Sequence, residues 1–149
     1  MKQVSIFTDG SCSGNPGPGG YAVIIEEDGI RRELTGGESQ TTNNRMELRA
    51  VIEGLAALDQ PSSVRVVTDS RYVANGMKSW IYTWRRKGWK TSAGTPVKNR
   101  DLWERLDKLS RTHEVSWEWV RGHNNHPENE RADLLARKVA REFVSHSSA

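Results

Sequence analysis

Apolar and polar positions along this chain fall into a few patterns, and each predicts an element. Dense β-branched runs, Val4-Ser5-Ile6-Phe7-Thr8 and Val64-Arg65-Val66-Val67-Thr68, predict buried strands at about Gln3 to Thr8 and Ser63 to Thr68. Tyr21 to Glu26 and Ile30 to Leu34 read as two further strands joined by a hairpin at Glu27-Asp28-Gly29. Val115, Trp117 and Trp119 alternate with Ser116 and Glu118, the mark of a half-buried fifth strand. Between Thr42 and Leu58 the period changes to that of a helix: Leu48, Val51, Ile52, Leu55 and Leu58 share a face, and Pro61 ends it. A short helix follows around Arg71 to Trp80. Another runs from Asp101 to Arg111 through Leu102, Leu106 and Leu109. A last one opens at Pro127 with Ala132, Leu135, Ala136, Val139 and Phe143 on one side. Val144 to Ala149 reads as a disordered tail.

A strand, a long helix and a second strand form a crossover unit, so the first and fourth strands should lie side by side and parallel. The element order βββαβααβα then predicts an α/β fold, a mixed and mostly parallel five-stranded sheet with helices on both faces. With 149 residues the chain reads as a single domain, 1–149, able to bury about 68–70% of its unfolded surface. One cysteine, Cys12, excludes an internal disulfide framework. The start, Met1-Lys2-Gln3-Val4, has no apolar signal core or membrane span, which makes a cytoplasmic protein the simplest reading.

The first and fourth strands share an ending, Thr8-Asp9 and Thr68-Asp69. Acids at the carboxyl ends of neighbouring strands point into the crevice where open α/β sheets bind ligands. Two carboxylates converging there repel each other unless a hard cation joins them. Glu47, one turn into the long helix, and Asp133, near the start of the last one, reach the same edge. Each has a plainer reading: Glu47 as a capping-box partner three residues after Asn44, Asp133 as an acid complementing its helix dipole. Four acids arriving together favour a metal site. The Gly/Pro-rich stretch Gly10 to Gly20 reads as a loop. It begins like a calcium loop at Asp9, Ser11 and Ser13, but Gly20 stands where the closing carboxylate belongs, and no Gly-Lys-Ser/Thr ending marks a P-loop. His123, in the polar loop Val120 to Asn125 beside the crevice, is a candidate general acid/base or proton carrier.

The formal charge of +3 is unevenly distributed. No acid lies between Asp69 and Asp101, while that interval carries eight cations, leaving −5 for the rest of the chain. A basic segment on a mildly acidic body is the electrostatic footprint of a polyanion-binding protein. Tryptophans at helical spacing usually pack in a core, as expected for Trp103, Trp117 and Trp119. Trp80 and Trp84, followed by Arg85, Arg86, Lys87 and Lys90, read instead as indoles that stack on bases or sugars while the cations follow phosphates.

Phe7-Thr8-Asp9-Gly10-Ser11, Gly14-Asn15-Pro16-Gly17, Thr42-Asn43-Asn44-Arg45-Met46-Glu47-Leu48, Thr68-Asp69-Ser70, Gly122-His123 and Asn129-Glu130-Arg131-Ala132-Asp133 together resemble the signature set of the bacterial ribonuclease HI family. The resemblance covers essentially the whole chain in order. It implies the ribonuclease H fold, with Asp9, Glu47, Asp69 and Asp133 as ligands of two Mg²⁺ ions, Mn²⁺ as a substitute, and His123 as an auxiliary residue near the scissile phosphate. It also implies an RNA/DNA hybrid as partner. Asn15, Asn43 and Asn44 would contact the RNA strand, Thr42 and Asn99 would hold a DNA phosphate, and Trp80 and Trp84 would line the DNA groove. The implied enzyme is a monomeric endonuclease that cuts the RNA strand without reading sequence and leaves 5′-phosphate and 3′-hydroxyl ends. Asn124-Asn125 departs from the small residues or Gly common in relatives, although Asn tolerates left-handed backbone angles. Two rivals are a resolvase- or transposase-like enzyme of the same fold, and a nucleic-acid binding module without catalysis.

Overall fold

β-branched residues crowd the centre of the sheet, and each successive side chain turns to the opposite face. The computed structural model describes residues 1–122 and 126–147. Its strands are β1 (Lys2–Cys12), β2 (Gly17–Glu27), β3 (Ile30–Thr41), β4 (Ser62–Thr68) and β5 (Glu114–Trp119), in the order β3-β2-β1-β4-β5. Its helices are α1 (Asn43–Ala56), α2 (Arg71–Asn75), α3 (Ile81–Arg86), α4 (Arg100–Arg111) and α5 (Pro127–Ser147), with a π-helical turn, Gly76–Trp80, between α2 and α3.

Ile6, Val23, Ile25, Val64 and Val66 face α1 and α4 and pack on Leu48, Ile52, Leu55, Trp103 and Leu106. Phe7, Ala22, Ile24 and Val67 face the other way, where Ala132 and Ala136 let α5 lie close to the sheet. Helices on both faces are thus as expected, and β1 lies parallel to β4 with Thr8 opposite Thr68.

Four expectations need correction. The sheet is evenly mixed rather than mostly parallel: β1/β2 and β2/β3 pair antiparallel, β1/β4 and β4/β5 parallel. Most of the presumed glycine loop is strand, because small residues permit the close pairings Gly10↔Tyr21, Ser11↔Gly20 and Cys12↔Gly19; only a tight turn remains, closed by the Ser13 amide on the Pro18 carbonyl at 2.7 Å. The single short helix after Asp69 is broken by the π-helical turn, where the Trp103 ring packs directly on Gly76. Finally, α5 continues through Ser147, as no Gly or Pro follows Phe143 to stop it.

Candidate active site

The two Thr-Asp endings, alike in sequence, present their acids differently. Asp9 is still within β1, paired with Ala22, and only 5% exposed. Asp69 lies just past β4. There the Thr68 hydroxyl accepts the Ser70 amide (3.0 Å), the Ser70 hydroxyl caps α2 by accepting the Val73 amide (3.2 Å), and the Trp119 indole donates to the Asp69 carbonyl (3.0 Å). Glu47 enters from α1, and its Oε1 accepts the Gly10 amide at 2.7 Å. The helix is capped by Thr42, whose Oγ1 accepts the Arg45 amide at 3.3 Å, so Glu47 is not a capping-box partner of Asn44.

Oxygens of Asp9, Glu47 and Asp69 all lie within 4.8 Å of one another. Asp133, from α5, lines the same open cleft of about 430 Å³, along with Asn43 and Asn44. Its carboxylate is also paired with Arg137 at 2.9 Å. The four acids expected to converge do so. Burial, then the neighbouring charges of Glu47 and Asp69, push Asp9 far above the usual carboxylate range. Burial and the charge of Asp69 likewise raise Glu47, to about 8. Asp9 interacts with each of the other three acids. Glu47 Oε2 is buried and receives no hydrogen bond among the described residues, so it calls for either a shared proton or a cation. A compact set of carboxylate oxygens with one orphaned acceptor suits a hard divalent ion.

Around the cleft, Asn15 Oδ1 accepts the Asn43 amide (3.1 Å). Asn99 has a left-handed backbone (φ 60°); its amide group donates to the Tyr72 hydroxyl (3.1 Å) and accepts from Arg45 (3.2 Å). Arg45 thereby ties Thr42 to Asn99, the two positions expected to hold one phosphate. The Trp103 indole also donates to Tyr72 (2.9 Å), and Tyr72 packs on Trp80 at a ring distance of 5.9 Å. Trp80 is 39% exposed, whereas Trp84 is half-buried against Trp103, 5.0 Å away. Arg86, Lys87 and Lys90 are exposed; Arg85 instead reaches Asp107 on α4. His123, with Asn124 and Asn125, lies outside the described residues.

The sequence reading missed the Gly10 amide, the Arg45–Asn99–Tyr72 network, the Trp119 indole and Arg71 at the cleft wall. Only Gly10 and Arg45 carried a signal, since both sit inside the quoted motifs.

The model of the RNase H family matches residues 1–141. This chain belongs to the RNase H family. It is a ribonuclease H enzyme: ribonuclease H of Rhodospirillum rubrum is 60% identical over 136 residues, which are 91% of this chain and 82% of that one. The crystal structure of LC9-RNase H1, described as a type 1 RNase H with the type 2 active-site motif, is 38% identical with a TM-score of 0.87, over 96% of this chain and 74% of that one. LC11-RNase H1, solved in complex with an RNA/DNA hybrid, shares the RNase H fold at 22% identity and a TM-score of 0.69, over 95% and 99% of the two chains.

Proposed function

We propose that the chain hydrolyses the RNA strand of RNA/DNA hybrids by two-metal-ion chemistry, without regard to sequence, leaving 5′-phosphate and 3′-hydroxyl ends. The observation that carries this reading is the triad of carboxylates within 4.8 Å containing a buried oxygen with no donor. Two Mg²⁺ ions, or Mn²⁺ in their place, would be held by Asp9, Glu47, Asp69 and Asp133 and would supply, when bound, a nucleophilic water at neutral pH and neutralisation of charge on the phosphate. Asp9, which interacts with all three other acids, would be the central ligand of this metal site. Gly10 fixes the Glu47 carboxylate, and the turn built by Thr68 and Ser70 aims Asp69.

Asn43 and Asn44 face the cleft, and the Asn15 amide group donates no hydrogen bond among the described residues, which suits reading 2′-hydroxyls across a shallow minor groove. Thr42 and Asn99, joined by Arg45, hold a phosphate of the DNA strand, while Trp80 and the exposed cations Arg86, Lys87 and Lys90 line the DNA groove. His123 carries a proton beside the scissile phosphate. The protein acts as a monomeric single domain in the cytoplasm. Among the described residues no helix is long and apolar enough to cross a membrane.

The test is end-labelled substrate incubated with Mg²⁺. The RNA strand of a hybrid should be cut, and duplex DNA and duplex RNA should not. Cleavage of duplex DNA would favour a resolvase-like activity, and hybrid binding with no cutting would favour a binding module.

A further inference from the structure

Asp107, on α4, is a carboxylate only 6% exposed and far from the acidic cleft in sequence and role. Its Oδ1 accepts from two atoms of a single guanidinium, Arg85 Nε (2.8 Å) and Arg85 Nη2, and its Oδ2 takes Arg111 at 3.3 Å. A carboxylate this buried is costly to leave unpaired, so Arg85 is held rather than merely nearby. Arg85 belongs to α3, the element that leads directly into Arg86, Lys87 and Lys90. These three side chains are exposed and form no ion pair among the described residues. The same helix meets α4 through Trp84 on Trp103. The pair at 85–107 and the tilted indole pair therefore fix α3 on α4 at two points, adjacent in sequence on α3, and the exposed cations follow immediately.

Resting on the reading of the basic segment as the hybrid-binding element, we propose that Asp107 and Arg85 are positioning residues for it. Arg85 touches no phosphate and acts on substrate affinity only by holding α3. Arg86, Lys87 and Lys90 supply the phosphate contacts. The formal count of cations in the segment thus overstates its electrostatic reach, because Arg85 is neutralised within the fold.

The test measures KM, kcat and the salt dependence of hybrid binding, at a temperature well below each variant's melting point. Asp107→Asn should raise KM severalfold with kcat retained, because α3 is loosened while the acid cleft is untouched. Arg85→Met should do the same. The double variant Arg85→Met/Asp107→Leu removes both charges at once, leaving net charge unchanged and no buried ion unpaired. It should recover most of the lost affinity and the wild-type salt slope. Arg86→Ala, Lys87→Ala and Lys90→Ala should each flatten that slope by about one unit. If the double variant stays as weak as Arg85→Met with a slope flattened by about one unit, Arg85 meets a phosphate and the proposal is overturned. An unchanged KM for Asp107→Asn overturns it as well. If instead the three alanine variants leave the slope unchanged, the basic segment does not bind the hybrid, and it is that reading which fails first.

Discussion

The backbone amide of Gly10 donates to Glu47 Oε1 at 2.7 Å, fastening the carboxyl end of β1 to the first turns of α1. The contact exists because position 10 has no side chain. A Cβ built there would lie 2.5 Å from the Glu47 nitrogen and 2.6 Å from the Met46 carbonyl carbon. Both are backbone atoms and cannot rotate away.

Gly10→Ala should therefore push α1 off β1 and move Glu47 out of the triad. Overpacking of this kind costs on the order of 1–3 kcal/mol. Urea denaturation should report that loss, and Mg²⁺-dependent cleavage should fall by far more than the fraction unfolded accounts for. Wild-type stability and activity in the variant would show that the approach of α1 is not set by this residue.

The acid cluster should destabilise the metal-free protein. Two full charges ~4 Å apart at an effective dielectric of about 20 would repel by about 4 kcal/mol before relaxation, so the folded site retains protons that the unfolded chain has released, at a cost in stability. Asp9→Asn removes one carboxylate and leaves an amide able to donate to Glu47. It should melt higher than the wild type in EDTA at neutral pH, by on the order of 1–2 kcal/mol, or about 2–4 °C per kcal/mol.

The pH dependence of that difference follows from the direction of the shifts. Folded-state pKa values raised above about 4 make the wild type lose stability as pH rises from about 4 through the folded values, the Glu47 value being about 8. The advantage of Asp9→Asn should accordingly shrink as pH falls toward 4. Added Mg²⁺ should shrink it too, by binding the native wild type. Thermal melts at pH 4, 7 and 8, with and without Mg²⁺, check both; a variant that melts no higher than the wild type in neutral EDTA contradicts the crowding of the acids.

Trp80 and Trp84 should separate into two classes. Trp80→Ala should cost on the order of 1–3 kcal/mol of hybrid affinity with little loss of fold stability, as an exposed stacking ring. Trp84→Ala also removes a ring packed on Trp103. It should lower stability toward the smaller end of the ~3–5 kcal/mol typical of buried aromatics. Paired titrations with hybrid and with urea distinguish them, and equal stability losses in the two would remove the distinction.

The duplicated Thr-Asp was legible because strand period and ending both repeat, and the crossover rule puts those two strands together. The convergence of Glu47 and Asp133 followed from where their helices begin. The extent of β3 did not, because Gly36-Gly37 resembles a break; in the fold these positions are where the Tyr21 hydroxyl and the Phe143 ring pack across the strand. The π-helical turn depends on Trp103, remote in sequence, so no local pattern marks it. Arg85 looked like its neighbours Arg86 and Lys87 because formal charge does not reveal a partner 22 residues away on another helix. Local periodicity reports elements, and a few topological rules place strand ends. Side chains that meet across elements are visible only once the elements are packed.

The acid cluster makes Asp9 the residue on which metal-dependent cleavage of a hybrid should depend most. The measurement closest to this dependence is single-turnover cleavage of an end-labelled RNA/DNA hybrid by the wild type and by Asp9→Asn, in Mg²⁺ and in EDTA, with hybrid binding measured in parallel. The wild type should cut only the RNA strand and only with Mg²⁺, giving 5′-phosphate and 3′-hydroxyl ends. Asp9→Asn should bind the hybrid at least as tightly and cut it less than a hundredth as fast, a loss of about 2.7 kcal/mol or more in transition-state stabilisation. Cleavage that persists in EDTA, or an Asp9→Asn enzyme within tenfold of the wild type in Mg²⁺, would contradict the account.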